Sequence, residues 1–287
     1  MEIKTALKFM LISTLSFACM NAIVKHLVHI NAFQIVFFRS ISSLVFTFGF
    51  LLKYKIPLKG NNQKLLITRG LVGLTSMTLF FMATKYLAIG TAVSLRYMAP
   101  IFAGIFAVFL LKEVIKPLQW IFFAMAFSGV IIIKGFDSQM DATGLLLAIG
   151  SAIFSGFVYV IISKIGKSEH PVVVVNYFMI ISTIVGGVLA IPYWINPVGL
   201  EWGLLLALGV FGFFGQVFMT KAFQVATTNQ TAPLKYLEVI FTVLFGVFVF
   251  SEIYTLWSLL GIALIITGLI LNILYKKRVE NKQKHQV

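Results

Sequence analysis

The amino-acid sequence predicts an all-α membrane protein, with ten transmembrane helices arranged as two inverted five-helix repeats and both termini in the cytoplasm. Three observations predict this fold: the apolar composition, the number of long apolar runs, and the side of the membrane on which the basic residues fall. Of the 287 residues, 60% are hydrophobic and 11% are charged. Soluble domains typically contain about 25% charged residues, so this composition excludes a soluble globular fold.

Ten apolar runs are long enough to form spanning helices, because a helix needs about 20 predominantly apolar residues to cross the hydrocarbon core. In chain order the runs cover residues 5–24, 32–52, 65–84, 90–111, 118–136, 143–163, 171–194, 203–222, 229–250 and 255–275. Most of the connections between them are shorter than ten residues, which leaves no room for a soluble catalytic domain. The basic segment 276–287 is too short to fold by itself and is expected to be a cytoplasmic tail.

The 23 Lys and Arg residues fall mainly on one side of this arrangement. With the N-terminus in the cytoplasm, sixteen occupy the inner loops and chain ends, three occupy the outer loops, and four lie within spans. Cytoplasmic loops are enriched in Lys and Arg, so the bias predicts that both termini face the cytoplasm. It also accounts for the net charge of +14 without a nucleic-acid partner, since no basic domain with interleaved aromatic residues is present.

An internal repeat becomes visible when the chain is aligned with itself at an offset of 139 residues. Residues 95–113, LRYMAPIFAGIFAVFLLKE, then align with residues 234–252, LKYLEVIFTVLFGVFVFSE, and eight of the nineteen positions are identical. The identical pairs include a charged one, Glu113 with Glu252. Shared apolar composition does not explain a charged match, so the alignment indicates a true repeat.

The offset assigns residues 1–136 to a first repeat and residues 143–275 to a second, with Lys25 and Lys164 at equivalent positions. Each repeat holds five spans. Because five is an odd number, the second repeat enters the membrane from the opposite side, and a pseudo-two-fold axis in the membrane plane relates the two. Inverted repeats of this kind usually form a substrate site near the midplane and alternate access by rocking one bundle against the other.

Each half contains a fourth helix with the pattern A…Y…F…E, which ends at Glu113 in the first half and at Glu252 in the second. Two five-helix halves with this pattern resemble the drug/metabolite transporter superfamily, and specifically its EamA family, over nearly the whole chain. The segments RYMAPIF, LLKE and TAPLKYLEV, with Arg39 in FFRS, are most similar to the branch that contains S-adenosylmethionine uptake transporters and riboflavin importers. The resemblance implies a secondary transporter in the cell inner membrane, and not an enzyme.

Ionisable residues within a span cost roughly 2.5–3.5 kcal/mol on insertion scales and usually face the bundle interior or a water-filled cavity. Arg39, Arg96 and Lys235 are such residues, and Arg96 and Lys235 are repeat counterparts. Glu238 is predicted near the midplane, where its counterpart is Ala99, so the repeat does not account for this carboxylate. We therefore expect the substrate pathway to contain Arg39, Arg96, Tyr97, Lys235, Tyr236, Glu238, Asn21, Asn176 and Gln216.

Several of these positions have a structural alternative. Arg39 can be an interface anchor or a packing partner. Lys235 and Glu238 are three residues apart on one helix face and can be a neutralising pair that only permits insertion. Arg69, near the cytoplasmic start of the third span, is expected to be a positive-inside anchor. The polar mid-span residues can instead form interhelical hydrogen bonds; these are Asn21, Asn176 and Gln216.

Two predicted helices carry small residues at regular intervals, which allow neighbouring helices to approach closely. They are Ala99, Ala103 and Ala107 at every fourth position, and Gly209, Gly212 and Gly215 at every third. We expect both faces to be packing surfaces. Pro100 lies within the first of these helices and removes a backbone hydrogen bond one turn earlier.

No sequence motif indicates a cofactor or a catalytic centre. P-loop, GxGxxG and HExxH motifs are absent from the sequence, as are Cys/His clusters, so we expect neither a cofactor nor a metal. The expected partners are a small-molecule substrate and the lipid bilayer, with a coupling proton and a homodimer left open.

The sequence thus predicts a secondary transporter of a small organic metabolite that works by alternating access. The resemblance names S-adenosylmethionine and riboflavin as candidate substrates, and the cationic pathway favours an anionic or zwitterionic metabolite, which includes amino acids. Two alternatives stay open: a broad-specificity exporter of the same fold, and a membrane-embedded enzyme acting on a lipid substrate.

Overall fold

A computed structural model describes residues 2–111, 116–136, 141–165, 168–225, 235 and 237–284. Within these ranges the regular structure is helical and no β-strand is present. The first half contains six helices, which are α1 (Glu2–His26), α2 (Ala32–Lys53), α3 (Gln63–Ala83), α4 (Ile89–Arg96), α5 (Ala99–Leu111) and α6 (Pro117–Phe136). The second half contains α7 (Ala142–Ile165), α8 (Pro171–Ala190), α9 (Leu200–Val225), α10 (Leu237–Phe250) and α11 (Leu256–Lys284).

Side-chain caps fix the beginnings of three of these helices. Asn31 accepts a hydrogen bond from the backbone N–H of Phe33 at the start of α2, and Asn62 caps α3 in the same way. His170 precedes α8, whose first residue is Pro171; proline is tolerated there because the first N–H of a helix has no intrahelical partner. The last helix, α11, continues through the basic residues that the sequence assigns to a tail.

The predicted fourth span is broken into α4 and α5 at Tyr97 and Met98. Hydrogen bonds of the tighter i to i−3 type replace the helical ones here, from Met98 N to Leu95 O and from Ile101 N to Met98 O. Pro100 is the second residue of α5 and has no N–H to donate, so α4 cannot continue through this point with all its hydrogen bonds. The break therefore has a covalent cause.

Seven helical segments in the described ranges are long and apolar enough to cross a membrane, and one of them runs through the break, from Ile89 to Phe106. Three further apolar helical stretches are shorter: Pro117–Ile132, Leu237–Phe250 and Leu256–Asn272. These three fall in the predicted fifth, ninth and tenth spans. The structure is thus a multi-pass helical protein, while the count of ten spans and the cytoplasmic termini stay predictions.

The helices pack in pairs that follow the repeat. α2 packs against α8 and α6 against α11, and in both pairs the second helix begins 139 residues after the first. Phe37 lies beside Gly187 and Thr47 bonds to Asn176, so residue numbers rise along α2 where they fall along α8. Equivalent helices that run antiparallel are what an inverted repeat requires. α1 packs on α9 and α3 on α7, and exchanging the repeats converts one pair into the other.

The glycine face of α9 is a packing surface, as the sequence predicts. A methyl group at Gly209 would overlap Ser42 on α2, and one at Gly215 would lie 2.7 Å from the Phe17 ring on α1. The alanine face of α5 also packs closely, since α7 approaches Ala99 and Ala103 at Gly156. Both small-residue faces therefore let backbones meet.

Candidate functional site

Glu238, the second residue of α10, is almost fully buried, with 5% of its surface exposed. Its Oε1 accepts a hydrogen bond of 3.0 Å from Asn21 Nδ2 on α1, and its Oε2 accepts one of 2.5 Å from the hydroxyl of Tyr97. Tyr97 occupies the break between α4 and α5. Because Asn21 and Tyr97 belong to the first repeat and Glu238 to the second, this carboxylate site (Asn21, Tyr97 and Glu238) joins the two repeats.

Two cations lie beside the carboxylate site. Lys235 Nζ is 5.6 Å from the centroid of the Tyr97 ring, and the guanidinium carbon of Arg96 is 4.5 Å from the centroid of the Phe80 ring. Both are cation–π distances, and both cations are close enough to attract the Glu238 carboxylate. Neither makes an ion pair within 4.0 Å of Glu238 in the described part of the chain. Lys235 and Glu238 are thus near each other without forming a contact pair.

Arg39 on α2 is buried, with 3% of its surface exposed. Its Nε lies 3.3 Å from the sulfur of Met20 on α1, and its Nη1 lies 3.9 Å from the sulfur of Met179 on α8. Thioether sulfur is only a weak acceptor, so these contacts compensate little of the cost of burying the charge. Such burial argues against an interface anchor, the alternative that the sequence leaves open for Arg39.

Arg69 on α3 differs from its expected role as a positive-inside anchor. It is 7% exposed and its guanidinium carbon lies 4.4 Å from the ring centroid of Phe178 on α8. Its Nε and Nη1 have no hydrogen-bond partner among the described residues. The reason is the close packing of α3 on α8, where Gly70 and Gly73 face Ile181 and Phe178, so that the arginine points into the protein rather than towards a surface.

Phe178 brings the two buried arginines together. The guanidinium carbon of Arg39 is 5.8 Å from the same ring centroid, so both guanidinium groups lie against one aromatic ring. We call Arg39 and Arg69, which both contact the Phe178 ring, the arginine pair. Met20 and Asn21 are adjacent on α1, and they contact Arg39 and Glu238 respectively. The arginine pair and the carboxylate site therefore both contact the same turn of α1.

The other predicted pathway residues are more dispersed. Asn176 accepts a hydrogen bond of 3.1 Å from Thr47 and so links α8 to α2, which is the interhelical role that the sequence left open. Asn21 also makes an interhelical bond, but to the buried carboxylate. Gln216 is half-buried on α9, and Tyr236 lies outside the described residues.

A second polar cluster lies where α1 ends and α4 begins. Lys25 Nζ is 3.3 Å from a carboxylate oxygen of Glu252, and it also donates hydrogen bonds to the carbonyl oxygens of Thr84 and Leu87, at 2.9 and 2.8 Å. Glu252 Oε2 in turn accepts a hydrogen bond of 3.0 Å from the backbone N–H of Ile89 at the start of α4. A carboxylate at this position favourably opposes the positive end of the helix dipole.

Tyr254 completes this cluster, which we call the Lys25–Glu252 network. Its hydroxyl donates to Glu252 Oε2 at 2.8 Å and accepts from the backbone N–H of Gly90 at 3.0 Å. Burial raises the pKa of Tyr254, as does the adjacent carboxylate, so the hydroxyl stays protonated and keeps its donor role. The network thus ties the ends of α1, α4 and α10 together at one end of the bundle.

Sequence reasoning missed two of these features. The expected role of Arg69 rests on its depth along α3, and this helix is apolar on too many sides for its sequence to show which face is buried. The Lys25–Glu252 network did leave a signal, because Lys25 and Glu252 both have identical counterparts at the repeat offset, in Lys164 and Glu113. The described residues contain no group of three or more His, Cys, Asp or Glu side chains that could hold a metal ion.

Comparison with known proteins gives a consistent result. The chain is 28% identical over 284 residues to the S-adenosylmethionine uptake transporter of Rickettsia conorii, and the aligned region covers 98% of this chain and 96% of that protein. It is 27% identical over 271 residues to the pseudopaline exporter CntI of Pseudomonas aeruginosa, with 93% of this chain and 95% of that protein covered. Human solute carrier family 35 member G1 is 29% identical over 88% of this chain and 74% of its own length.

One solved crystal structure has the same fold, with a TM-score of 0.65 at 17% sequence identity over 94% of this chain and 98% of that chain. Two segments of the sequence, residues 4–135 and 142–274, each match the EamA-like transporter family. Together these segments cover nearly the whole chain. The chain therefore belongs to the EamA-like transporter family, within the drug/metabolite transporter superfamily.

Proposed function

We propose that this protein is a secondary transporter that moves a small organic metabolite across the cell inner membrane by alternating access. In this proposal the chain spans the membrane ten times with both termini in the cytoplasm. The observation that carries it is the carboxylate site, where Glu238 of the second repeat is held by Asn21 and Tyr97 of the first. A buried polar group at the junction of inverted repeats is where such transporters bind their solute.

The candidate substrates are S-adenosylmethionine, riboflavin, or an anionic or zwitterionic metabolite such as an amino acid. Relatives that cover almost the whole chain are named S-adenosylmethionine uptake transporters, which supports the first candidate. The Tyr97 ring and the cations beside it could hold an aromatic or heterocyclic group and an anionic group. Glu238 would balance a positive charge on the substrate or exchange a coupling proton with solvent.

The Lys25–Glu252 network supports the alternating-access part of the proposal. It links the elements at the end of the bundle where α1 ends and α4 begins, which is the outer end if the N-terminus is cytoplasmic. The repeat places Lys164 and Glu113 at the equivalent positions of the opposite end, although Glu113 lies outside the described residues. In the proposed cycle the two lysine–glutamate pairs close opposite ends in turn, so that the site faces one side at a time.

Counterflow into proteoliposomes tests the proposal. Purified protein is reconstituted with unlabelled solute inside, and the same solute in radiolabelled form is supplied outside, with S-adenosylmethionine, riboflavin, amino acids and citrate tested in turn and protein-free liposomes as control. We expect one of these solutes to accumulate transiently and to be recovered chemically unchanged. A covalently altered product would favour the membrane-embedded enzyme instead, and no accumulation of any solute would contradict the proposal.

A broad-specificity exporter of the same fold is the second candidate, because a relative of similar identity is named as an exporter. Growth of cells that produce the protein separates the two: an exporter raises tolerance to several unrelated compounds, whereas a selective importer supports uptake of one. The protein could also form a homodimer, and light scattering of the purified protein would measure its mass and so decide its oligomeric state.

A further inference from the structure

The two neighbouring sites bury more positive than negative charge. Arg39 and Arg69 are buried, and the half-buried Arg96 and Lys235 lie beside the carboxylate of Glu238. Full ionisation of these five groups leaves a clear positive excess. Arg39 is close enough to Arg96 and Arg69 for mutual repulsion. None of the four cations forms an ion pair within 4.0 Å in the described part of the chain. Buried charge without a partner is strongly unfavourable, and within a membrane protein it usually marks a functional site.

The arginine pair is the least compensated part of this cluster. Arg39 directs Nε and Nη1 at two sulfur atoms, and Arg69 has Nε and Nη1 without partners among the described residues. The aromatic face of Phe178 stabilises both cations, yet it accepts no strong hydrogen bond. Donors are present here and oxygen acceptors are missing, which is the arrangement that binds a carboxylate or phosphate group.

Further buried polar groups on the same helices also lack partners. In the described residues these include the hydroxyl groups of Ser40 and Ser42 on α2, the hydroxyl of Ser182 on α8, and Nδ2 of Asn176. All four can donate a hydrogen bond. A solute with several oxygen acceptors would satisfy such donors, whereas an apolar solute would leave them unpaired.

We propose that the transported solute is a polyanion with at least two carboxylate or phosphate groups, one bound by Arg39 and Arg69 and another beside Arg96 and Lys235. This inference rests on the proposed transport function and deepens it. Arg39 is near enough to Arg96 for their charges to repel, and consecutive residues of α1 contact Arg39 and Glu238, so a small molecule with two anionic groups can span the two cationic regions. S-Adenosylmethionine, with a single carboxylate and two cationic groups, leaves the arginine pair largely uncompensated.

Ligand-dependent thermal unfolding of the purified protein in detergent tests the site itself. The probes are citrate, succinate, inorganic phosphate and S-adenosylmethionine at equal concentration and ionic strength. We expect citrate to raise the unfolding temperature most, and Arg69→Gln to weaken citrate binding by about tenfold or more, as expected when a hydrogen bond to a charged group is lost. Lys221→Gln is the matched control, since it removes an exposed cation of α9 and should leave citrate binding unchanged.

The ligand-free stability of Arg69→Gln separates a binding role from a structural one. An uncompensated buried cation destabilises the empty protein, so its neutral replacement should unfold at the same temperature or higher, while losing the response to citrate. A lower unfolding temperature together with an unchanged citrate response would overturn the inference. Arg39→Gln gives an independent second variant with the same expected pattern.

Transport assays keep this inference distinct from the proposed function. Proteoliposome uptake of S-adenosylmethionine that neither citrate nor phosphate inhibits, with no stabilisation by either anion, would refute the polyanion site and leave the transport function standing. Citrate binding that depends on Arg39 and Arg69, without transport of any solute, would support the site and contradict the transport function. Citrate uptake that Arg69→Gln abolishes would support both.

Discussion

At the scale of single residues, the carboxylate of Glu238 is the most informative group in the protein. Both of its oxygens accept hydrogen bonds from the other repeat, and its nearest cations stand beside it without pairing. Hydrogen bonds to an ionised carboxylate contribute more than neutral ones. The residue thus links the two repeats through Asn21 and Tyr97.

Replacing Tyr97 by Phe should weaken this junction. The change removes the hydroxyl that donates to Glu238 and keeps the aromatic ring beside Lys235, so we expect a loss of about 1.5–3 kcal/mol in the free energy of unfolding, with slower transport. Thermal unfolding and counterflow measure the two effects. The control is Tyr54→Phe, at a tyrosine that is 57% exposed; equal effects of the two changes would show that the Glu238 bond contributes nothing specific.

The individual site residues could be predicted only in part. The sequence predicts Glu238 from its depth, and Tyr97 and Lys235 as members of repeat-related pairs. The structure bonds Tyr97 to Glu238 and places Lys235 beside the Tyr97 ring. The sequence does not predict the burial of Arg69. Burial depends on the rotation of α3 about its axis as well as on depth, and the packing of α3 on α8 determines that rotation. Tyr236 lies outside the described residues, so its predicted role is untested.

At the scale of helices, the glycine face of α9 decides how closely two repeats approach. Gly209→Ala would place a methyl group against the side chain and backbone of Ser42, so α9 and α2 must separate. We expect a loss of about 1–3 kcal/mol in the free energy of unfolding, the usual cost of overpacking. Thermal unfolding in detergent measures it.

Gly203 supplies the matched control on the same helix. A methyl group there meets no atom within 4 Å, and alanine is a better helix former than glycine by roughly 0.5–1 kcal/mol. Gly203→Ala should therefore leave stability unchanged or raise it. If Gly203→Ala and Gly209→Ala behave alike, close packing at Gly209 is not what stabilises the helix pair.

The break between α4 and α5 shows how one residue shapes an element. The sequence predicts one span over residues 90–111, and Pro100 divides it because a proline cannot supply the hydrogen bond that a continuous helix needs. The sequence identified the cause of the break. It did not show that the break would present Tyr97 to Glu238, since that contact requires α10 from the other repeat.

At the scale of the whole molecule, the Lys25–Glu252 network should stabilise the first turn of α4 by pairing its backbone N–H groups. Glu252→Ala removes the acceptor for the backbone N–H of Ile89 and a partner of Tyr254. We expect the amide hydrogens at the start of α4 to exchange about tenfold faster, which corresponds to the loss of one hydrogen bond of typical net strength. Hydrogen exchange followed by mass spectrometry measures this change.

Glu201→Ala provides the control for this experiment. Glu201 pairs with His29 at 2.8 Å at the same end of the bundle, but it does not cap α4. Exchange at the start of α4 should not respond to its removal. Unchanged exchange in Glu252→Ala, or an equal increase in Glu201→Ala, would contradict the role of Glu252 in stabilising the start of α4.

The sequence by itself determined the class of protein, the repeat and its register, because these follow from composition and from similarity along the chain. Two pairs of equivalent helices, α2 with α8 and α6 with α11, begin at the predicted offset, and α2 and α8 run antiparallel. Only the tertiary structure decided which cations are buried and which groups meet across the repeats. Those outcomes depend on helix rotation and on contacts between residues more than a hundred positions apart, such as Asn21 and Glu238, and no local pattern in the chain records them.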